Sequence, residues 1–496
     1  MIADSRVADG APKAITVLGA GVAGLVAAYE LERLGHRVEI LEASGHIGGR
    51  VHTHRFGAAH EAPFAELGAM RIRMDHELTQ HYIGELGLTG ELRDFRTLFS
   101  DEGNLLHTHD GGYVRVREAP GVLVDHLIAR LGANGYHRNT LLFGAWLSAC
   151  LDAVAPREFR DCPDVSTELL DLVDRIDLHP YLRGTAESKV DLHAVVADHP
   201  HIRSVFFRGR ERLLDDVLDE TSYALCRVRG GMDVITRRLA ERINGPIALG
   251  HEVVGVSVRG DGVVLQVRHE GTTTIRHCDY VLCTIPFPVL RALSLDGFDD
   301  EKLDVIHQTR YWPATKIALH CREAFWTEDG ITGGASFTGG LVRQTYYPPV
   351  ENDPALGAVL LVSYTIGPDA DELARLDPAT RYRVVLEEAG RMHPGLLEPG
   401  MVLGSTSLAW GEHRWSKGAA AIRWGQDTAT RQEQQWAAAR SQGSLFFAGE
   451  HCSSKPAWIE GAIESAVNAV HDIEWCGNFY RSGQEDRQPL GARWRR

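Results

Sequence analysis

Residues 14–42, AITVLGAGVAGLVAAYELERLGHRVEILE, constrain the fold more than any other stretch of this 496-residue chain. Ala14 to Leu18 is a short apolar run suited to a strand buried on both faces. Gly19, Gly21 and Gly24 follow at the spacing G-x-G-x-x-G. In that spacing the first glycine makes a turn, the second lets a pyrophosphate approach the backbone, and the third lets a helix lie close on the strand. Val22 to Leu34 carries apolar residues at helical spacing as far as Gly35, and RVEIL reads as a second strand ending at Glu42. An acid at that point is an acceptor for a pair of ribose hydroxyls. Strand, glycine turn, helix, strand and acid in this order predict a parallel α/β unit that binds a dinucleotide. A packing role for the glycines alone leaves Glu42 unexplained.

The next residues discriminate between dinucleotides. GHIGGRVHT places Gly48, Gly49 and Arg50 just beyond Glu42, adding backbone donors and a cation for a pyrophosphate. A nicotinamide fold needs no such second loop, so the pattern favours FAD. A further stretch, FAELGAMRI at 64–72, reads as a short strand, a Gly-Ala turn and then Arg71 within an apolar setting. That arginine is either ion-paired near a sheet edge or a fixed cation for an anion, because a guanidinium grips a carboxylate with two parallel hydrogen bonds.

Composition sets the outer limits. The length exceeds one core and predicts two or three domains. Hydrophobic residues at 44% and charged residues at 24% are an ordinary globular balance. The formal charge of −15 argues against nucleic acid or an anionic membrane as partner. MIADSRVADGAPK lacks the apolar stretch of a secretory signal, and no run of about 18 apolar residues predicts a membrane span. Eight scattered cysteines without a C-x-x-C pair read as reduced thiols of a cytoplasmic protein. The 24 histidines show no H-E-x-x-H or similar spacing, so no metal site is expected.

Residues 76 to about 114 alternate apolar positions with glycine turns and are expected as strands. From Leu123 to about Thr221 the chain turns helical and charged, as in STELLDLVDRIDL, which suggests an inserted helical subdomain. Residues 245–286 read as consecutive strands, the last of which, DYVLCTIP, rejoins the nucleotide sheet. The expected division is a discontinuous nucleotide domain (13–75, 226–290 and 440–475), a mixed-sheet substrate domain (76–114 and 291–439), a helical subdomain (115–225), and flexible termini at 1–12 and 477–496.

The glycine loops, FAELGAMRI, TKIALHCREAFW, SYTIGPDA and LFFAGEH followed by AWIEGAIESAV together resemble the flavin-containing amine oxidases. Within that superfamily they resemble the L-amino-acid oxidase branch, and the last stretch is similar to bacterial L-glutamate oxidases. The family places a basic residue, any residue and Gly-Gly-Arg after the acid; here His46 stands at the basic position. The resemblance implies an α/β fold: a Rossmann-like FAD-binding domain with a mixed-sheet substrate domain and the helical insertion. It assigns FAD binding to Gly19, Gly21, Ala23, Gly24, Glu42, Ala43, Gly49, Arg50, Gly68, Ala69, Met70 and Arg71. It adds Val253 or Val254 at the adenine, and Gly449, Glu450, Trp458 and Ile459 near the flavin.

The same resemblance places a substrate carboxylate on Arg71 and Tyr364, with Ala457 and Trp458 against the amine. Lys316 matches the lysine that holds a water near flavin N5 and assists O2. The implied reaction is oxidative deamination of an L-amino acid by hydride transfer from Cα, with O2 taken up and 2-oxo acid, ammonia and H2O2 released, in a homodimer. The alternatives are a decarboxylating amino-acid monooxygenase giving an amide, and a monoamine- or polyamine-type oxidase without carboxylate recognition. A non-oxidase flavoprotein is the reading from another class. Arg208, Arg210 and Arg212 could meet a substrate carboxylate or form a solvated helix face, and acidic, aromatic and basic side chains stay open as substrates.

Overall fold

The computed structural model of the chain describes residues 12–58, 62–108, 110–160, 165–206, 211–222, 224–351 and 353–482. The opening pattern folds as its periodicities predict, into β1 (Ala14–Leu18), α1 (Val22–Arg33) and β2 (Arg37–Leu41). These pair in parallel within a five-stranded sheet of order Ile247–Ala248, β2, β1, Tyr280–Cys283, Leu445–Phe447. The segment DYVLC therefore returns beside β1, as expected. Every residue of α1 from Val22 to Ala28 is buried. Its small residues let it lie between the sheet and the helix Ile459–Ser482, in one core that includes Val17, Leu25, Ile463 and Ala466.

Three antiparallel strands, Glu252–Arg259, Gly262–His269 and Thr272–Cys278, with Ser294–Asp296 added in parallel to the first, form a separate four-stranded sheet beside this unit. A seven-stranded sheet carries the rest, in the order Val402–Ala409, Ala314–Cys321, Ala358–Ile366, Gln344–Tyr346, Ala335–Phe337, Leu105–His107, Tyr113–Arg115. The strands Ala314–Cys321 and Ala358–Ile366 are buried along almost their whole length, so both of their faces are covered and the polar Thr315 and Lys316 are enclosed with the apolar residues. The helical segment appears where expected, with Ala119–Leu131, Arg138–Val154, Thr167–Val173, Leu192–Asp198 and Glu211–Thr221. A short hairpin, Leu182–Arg183 with Lys189–Val190, interrupts it. Its apolar face shares one core with the seven-stranded sheet through Trp146, Trp312 and Tyr346.

Two expectations need correction. Residues 77–85 are helical, not a strand, because Thr79, Tyr82 and Ile83 bury one face at helical spacing. The Glu460 carboxylate accepts the Leu78 and Thr79 N–H groups and the Thr79 hydroxyl, which satisfies orphan donors in the first turn of this helix. The final helix continues to Ser482, so residues 477–482 belong to it rather than to a loose tail. Among the described residues no helix is long and apolar enough to cross a membrane.

Candidate active site

A deep cleft opens where β1, β2 and the returning strands end. Gly19, with φ of +105°, turns the chain at the end of β1, and a Cβ there would meet the Thr284 hydroxyl at 2.6 Å. The N-terminus of α1 follows with no side-chain cap and no acid in its first turn. Its first N–H groups are thus available to an anion in the cleft. Gly48 and Gly21 meet in a backbone bridge, and a Cβ on Gly49 would lie 3.2 Å from Gly21 Cα. Two glycine loops therefore touch at one point, leaving an uncluttered cradle of backbone donors. The Glu42 carboxylate accepts Ala20 N–H at 2.7 Å and Ser44 N–H at 2.8 Å, which fixes it on the cleft wall. This donor and acceptor set fits a dinucleotide.

The cleft is lined by Gly19, Gly21, Ala23, Glu42, Ala43, Gly49, Arg50 and Val253. Ala69, Gly449, Glu450, Ala457, Trp458 and Ile459 line its other end. Val254, Gly24, Gly68, Met70, Arg71, Lys316 and Tyr364 are not on this wall. Gly24 and Gly68 act through packing: a Cβ on Gly24 would overlap the Gly19 carbonyl, and one on Gly68 would overlap the Arg50 carbonyl. Met70 lines a neighbouring cavity with Phe95 and Tyr346.

Arg50 spans the two ends of the site, donating to Glu450 at 2.6 Å and to the Ala419 carbonyl at 2.9 Å. Burial pushes the Glu450 carboxyl up, but Arg50 and its other neighbours outweigh this and hold it below its usual value. Glu450 also accepts Ala457 N–H at 3.1 Å. That bond holds Ala457 at φ +71°, outside the ordinary range for a side-chain-bearing residue, and so aims Trp458 into the cleft ahead of the last helix.

Beyond Trp458 the chain gathers the remaining predicted residues. Lys316 and Tyr364 are direct partners across two antiparallel strands, with Lys316 Nζ 4.7 Å from the Tyr364 ring centroid. Nζ donates to the Gly68 carbonyl at 2.7 Å and to the Glu66 carbonyl at 3.3 Å. Burial, reinforced by Arg71, lowers the Lys316 ammonium to about 7, and burial raises the Tyr364 phenol to about 12. Glu66 is likewise raised to about 7 by burial. Leu67, two residues earlier than Ala69, is pinned through its carbonyl by the Trp410 indole at 2.8 Å. The turn leading to Arg71 is thus fixed from several sides.

Arg71 itself is half-buried, with 11% of its side chain exposed, and its guanidinium carbon sits 5.8 Å from the ring centroids of both Phe95 and Trp458. Both terminal nitrogens donate to one carboxylate, that of Glu220, with Nη1 at 2.6 Å. The Tyr346 hydroxyl donates to the same carboxylate at 3.1 Å. Glu220 and Tyr346 are absent from the sequence reading. The available signal was positional: Leu213, Val217 and Glu220 fall on one helical stripe, so the acid occupies a core-facing place in Glu211–Thr221. Arg212 pairs with Asp216 at 2.7 Å on the same helix. Arg208 and Arg210 lie outside the described residues. Arg212 also lines a polar vestibule with Arg73, His76, Asp219 and Lys455, and this vestibule reaches Trp458.

The profile of the flavin-containing amine oxidoreductases matches residues 22–473. A flavin-dependent L-tryptophan oxidase, RebO of Lentzea aerocolonigenes, is 56% identical over 465 residues, which cover 93% of this chain and 98% of that protein. An L-amino-acid oxidase of Siganus canaliculatus is 30% identical, covering 92% of this chain and 85% of that protein. A putative L-amino-acid oxidase of Bacillus subtilis, YobN, is 29% identical across 93% of this chain and 95% of its own. Among solved structures, a putrescine oxidase bound to putrescine superposes with a TM-score of 0.61 at 20% identity, covering 93% of this chain and 99% of that one.

Proposed function

The chain belongs to the flavin-containing amine oxidoreductase family and takes FAD as its cofactor, and from that premise we propose that it oxidises an L-amino acid with a large aromatic side chain, L-tryptophan first among them. The observation that carries this reading is the half-buried Arg71, 5.8 Å from the Phe95 and Trp458 rings, just past the cleft and near Tyr364. A guanidinium there holds a carboxylate in two parallel bonds and so fixes Cα in orientation as well as place. The aromatic preference is supported by these flanking rings and by the tryptophan oxidase that shares 56% of its residues with this chain.

Bound flavin supplies the two-electron acceptor and the onward reaction with O2. The protein's part is positional and electrostatic. Arg71 and the Tyr364 hydroxyl hold the carboxylate, while Trp458 forms a wall against the amine. Lys316, held on the Gly68 carbonyl and with burial lowering its ammonium to about 7, can carry or release a proton near neutral pH. The α1 N-terminus, Glu42 and Arg50 bind and orient the dinucleotide. The products of this proposal are 2-oxo acid, ammonia and H2O2. It extends to a cytoplasmic homodimer, the first part supported by free thiols at Cys150, Cys226, Cys278, Cys283, Cys321 and Cys452; sedimentation tests the second.

The test is anaerobic mixing of the yellow protein with each L-amino acid and with its decarboxylated amine, following loss of the oxidised-flavin absorbance. Bleaching by L-tryptophan and not by tryptamine is expected, with peroxide formed once air is admitted. Equal bleaching by the amine removes Arg71 from the substrate site. An amide in place of peroxide makes the enzyme a monooxygenase.

A further inference from the structure

The Arg71 clamp is filled by the protein itself. Both Nη atoms donate to Glu220, in the end-on geometry that a substrate carboxylate needs. We propose that Glu220 is a resident competitor: it occupies Arg71 in the free enzyme, and a substrate carboxylate binds by taking its place. The inference rests on the reading of Arg71 as the carboxylate site.

Three features favour exchange over a permanent pair. A guanidinium with only 11% of its side chain exposed is costly without a counter-charge, so an empty clamp needs a substitute anion. Glu220 also has a second donor, the Tyr346 hydroxyl on its Oε2, which can keep the carboxylate satisfied once Arg71 is released. Finally, Glu220 lies near the end of Glu211–Thr221, the helix that supplies Arg212, Asp215 and Asp219 to the vestibule. An incoming amino acid therefore meets this helix on its way to Trp458. Asp219 and Arg73 form the adjacent ion pair and keep the helix end docked while Glu220 changes partner.

Exchange has a measurable signature. When only a fraction of the molecules present a free clamp, the apparent dissociation constant equals the intrinsic one divided by that fraction. Weakening Glu220 raises the fraction and tightens every carboxylate ligand, while ligands without a carboxylate gain nothing. A permanent pair that merely orients Arg71 gives the opposite sign.

The experiment uses FAD-loaded enzyme and two probes that isolate the clamp, indole-3-propionate (carboxylate, no amine) and tryptamine (amine, no carboxylate), titrated through the flavin spectrum. Glu220→Gln should bind indole-3-propionate about tenfold more tightly and tryptamine within twofold of the parent. Glu220→Asp, which keeps the charge and shortens the reach, should show a smaller shift of the same sign and guards against a Gln variant that fails to fold. Unchanged or weaker indole-3-propionate binding in both variants overturns the proposal. Arg71→Met separates the two readings. If it weakens indole-3-propionate while the Glu220 variants do not tighten it, the clamp stands and the competitor falls. If Arg71→Met leaves that binding unchanged, the carboxylate reading of Arg71 fails and the exchange fails with it.

Discussion

Gly21 and Gly24 belong to one motif, yet the structure assigns them different work, and alanine at each should separate folding from cofactor binding. At Gly24 an added Cβ overlaps the Gly19 carbonyl oxygen and stands 3.1 Å from Gly19 C and 3.3 Å from Val17 Cγ1. These atoms are β1 and its turn, so nothing flexible can yield. Restoring ordinary contact distances takes roughly an ångström of movement by α1. That helix is buried from Val22 to Ala28 on both neighbours, so overpacking should cost about 3 kcal/mol, the upper part of the usual range. At Gly21 the backbone sits at φ −76° and ψ −179°, open to any residue, and the nearest atom to an added Cβ is Gly49 Cα at 3.9 Å. The apoprotein should tolerate alanine there to within about 0.5 kcal/mol. The methyl group instead projects into the cradle where a pyrophosphate must approach. A loss of about 2–3 kcal/mol in FAD affinity follows, or roughly 30- to 150-fold. The assays are thermal melting of the deflavinated proteins and titration back with FAD. Gly24→Ala should melt roughly 5 °C or more below the parent, and Gly21→Ala at the parent's temperature with the weaker FAD binding. Equal destabilisation of both apoproteins, or parent-like FAD affinity in Gly21→Ala, refutes the division.

Arg71→Lys should behave as a loss rather than a conservative change, because an ammonium cannot make the paired bonds; the KM for an L-amino acid should rise about 100-fold in steady-state assays. Lys316→Met should change the pH dependence of stability. Burial, then Arg71, lowers this lysine to about 7, while an unfolded lysine titrates near 10.4. Between those values the unfolded chain binds the extra proton, so this group makes stability rise with pH across the window. Melting at pH 6, 8 and 10 should therefore favour the Met variant most at pH 6, and a constant difference excludes the buried lysine. Trp458→Ala should keep its flavin, held by Glu42, Arg50 and the α1 N-terminus, yet raise KM at least tenfold; loss of FAD instead makes Trp458 a cofactor residue first.

What was legible in the sequence follows from range. The β1–α1–β2 unit carries its own local contacts, β1 against β2, Glu42 on Ala20 N–H and Gly24 on Gly19, so its limits and Glu42 could be read directly. Arg71 announced itself as a cation in an apolar stretch. Its partner did not, because Glu220 lies 149 residues away in the chain and one acid on a charged helix looks like its exposed neighbours. Lys316 and Tyr364 could each be placed on a strand, but only the pairing register sets them face to face. Residues 77–85 misled because Tyr82 and Ile83 favour strands in isolation, and the contact that settles them as a helix is the Glu460 carboxylate from the far end of the chain.

The central sheet also fixes an order of events during synthesis. β1 is made first, but the sheet it opens is closed at one edge by Leu445–Phe447, and α1 rests on the helix that begins at Ile459. Lys13 donates at 2.6 Å to the Ile473 carbonyl, 460 residues further on. At roughly 5–20 residues per second, that distance takes about 25–90 s of translation. Through this interval the face of α1 that packs on the last helix has no partner, so this core closes only once that helix has left the ribosome. A chain that stops short of residue 445 lacks Gly449, Glu450, Trp458 and Ile459 and so one side of the cleft.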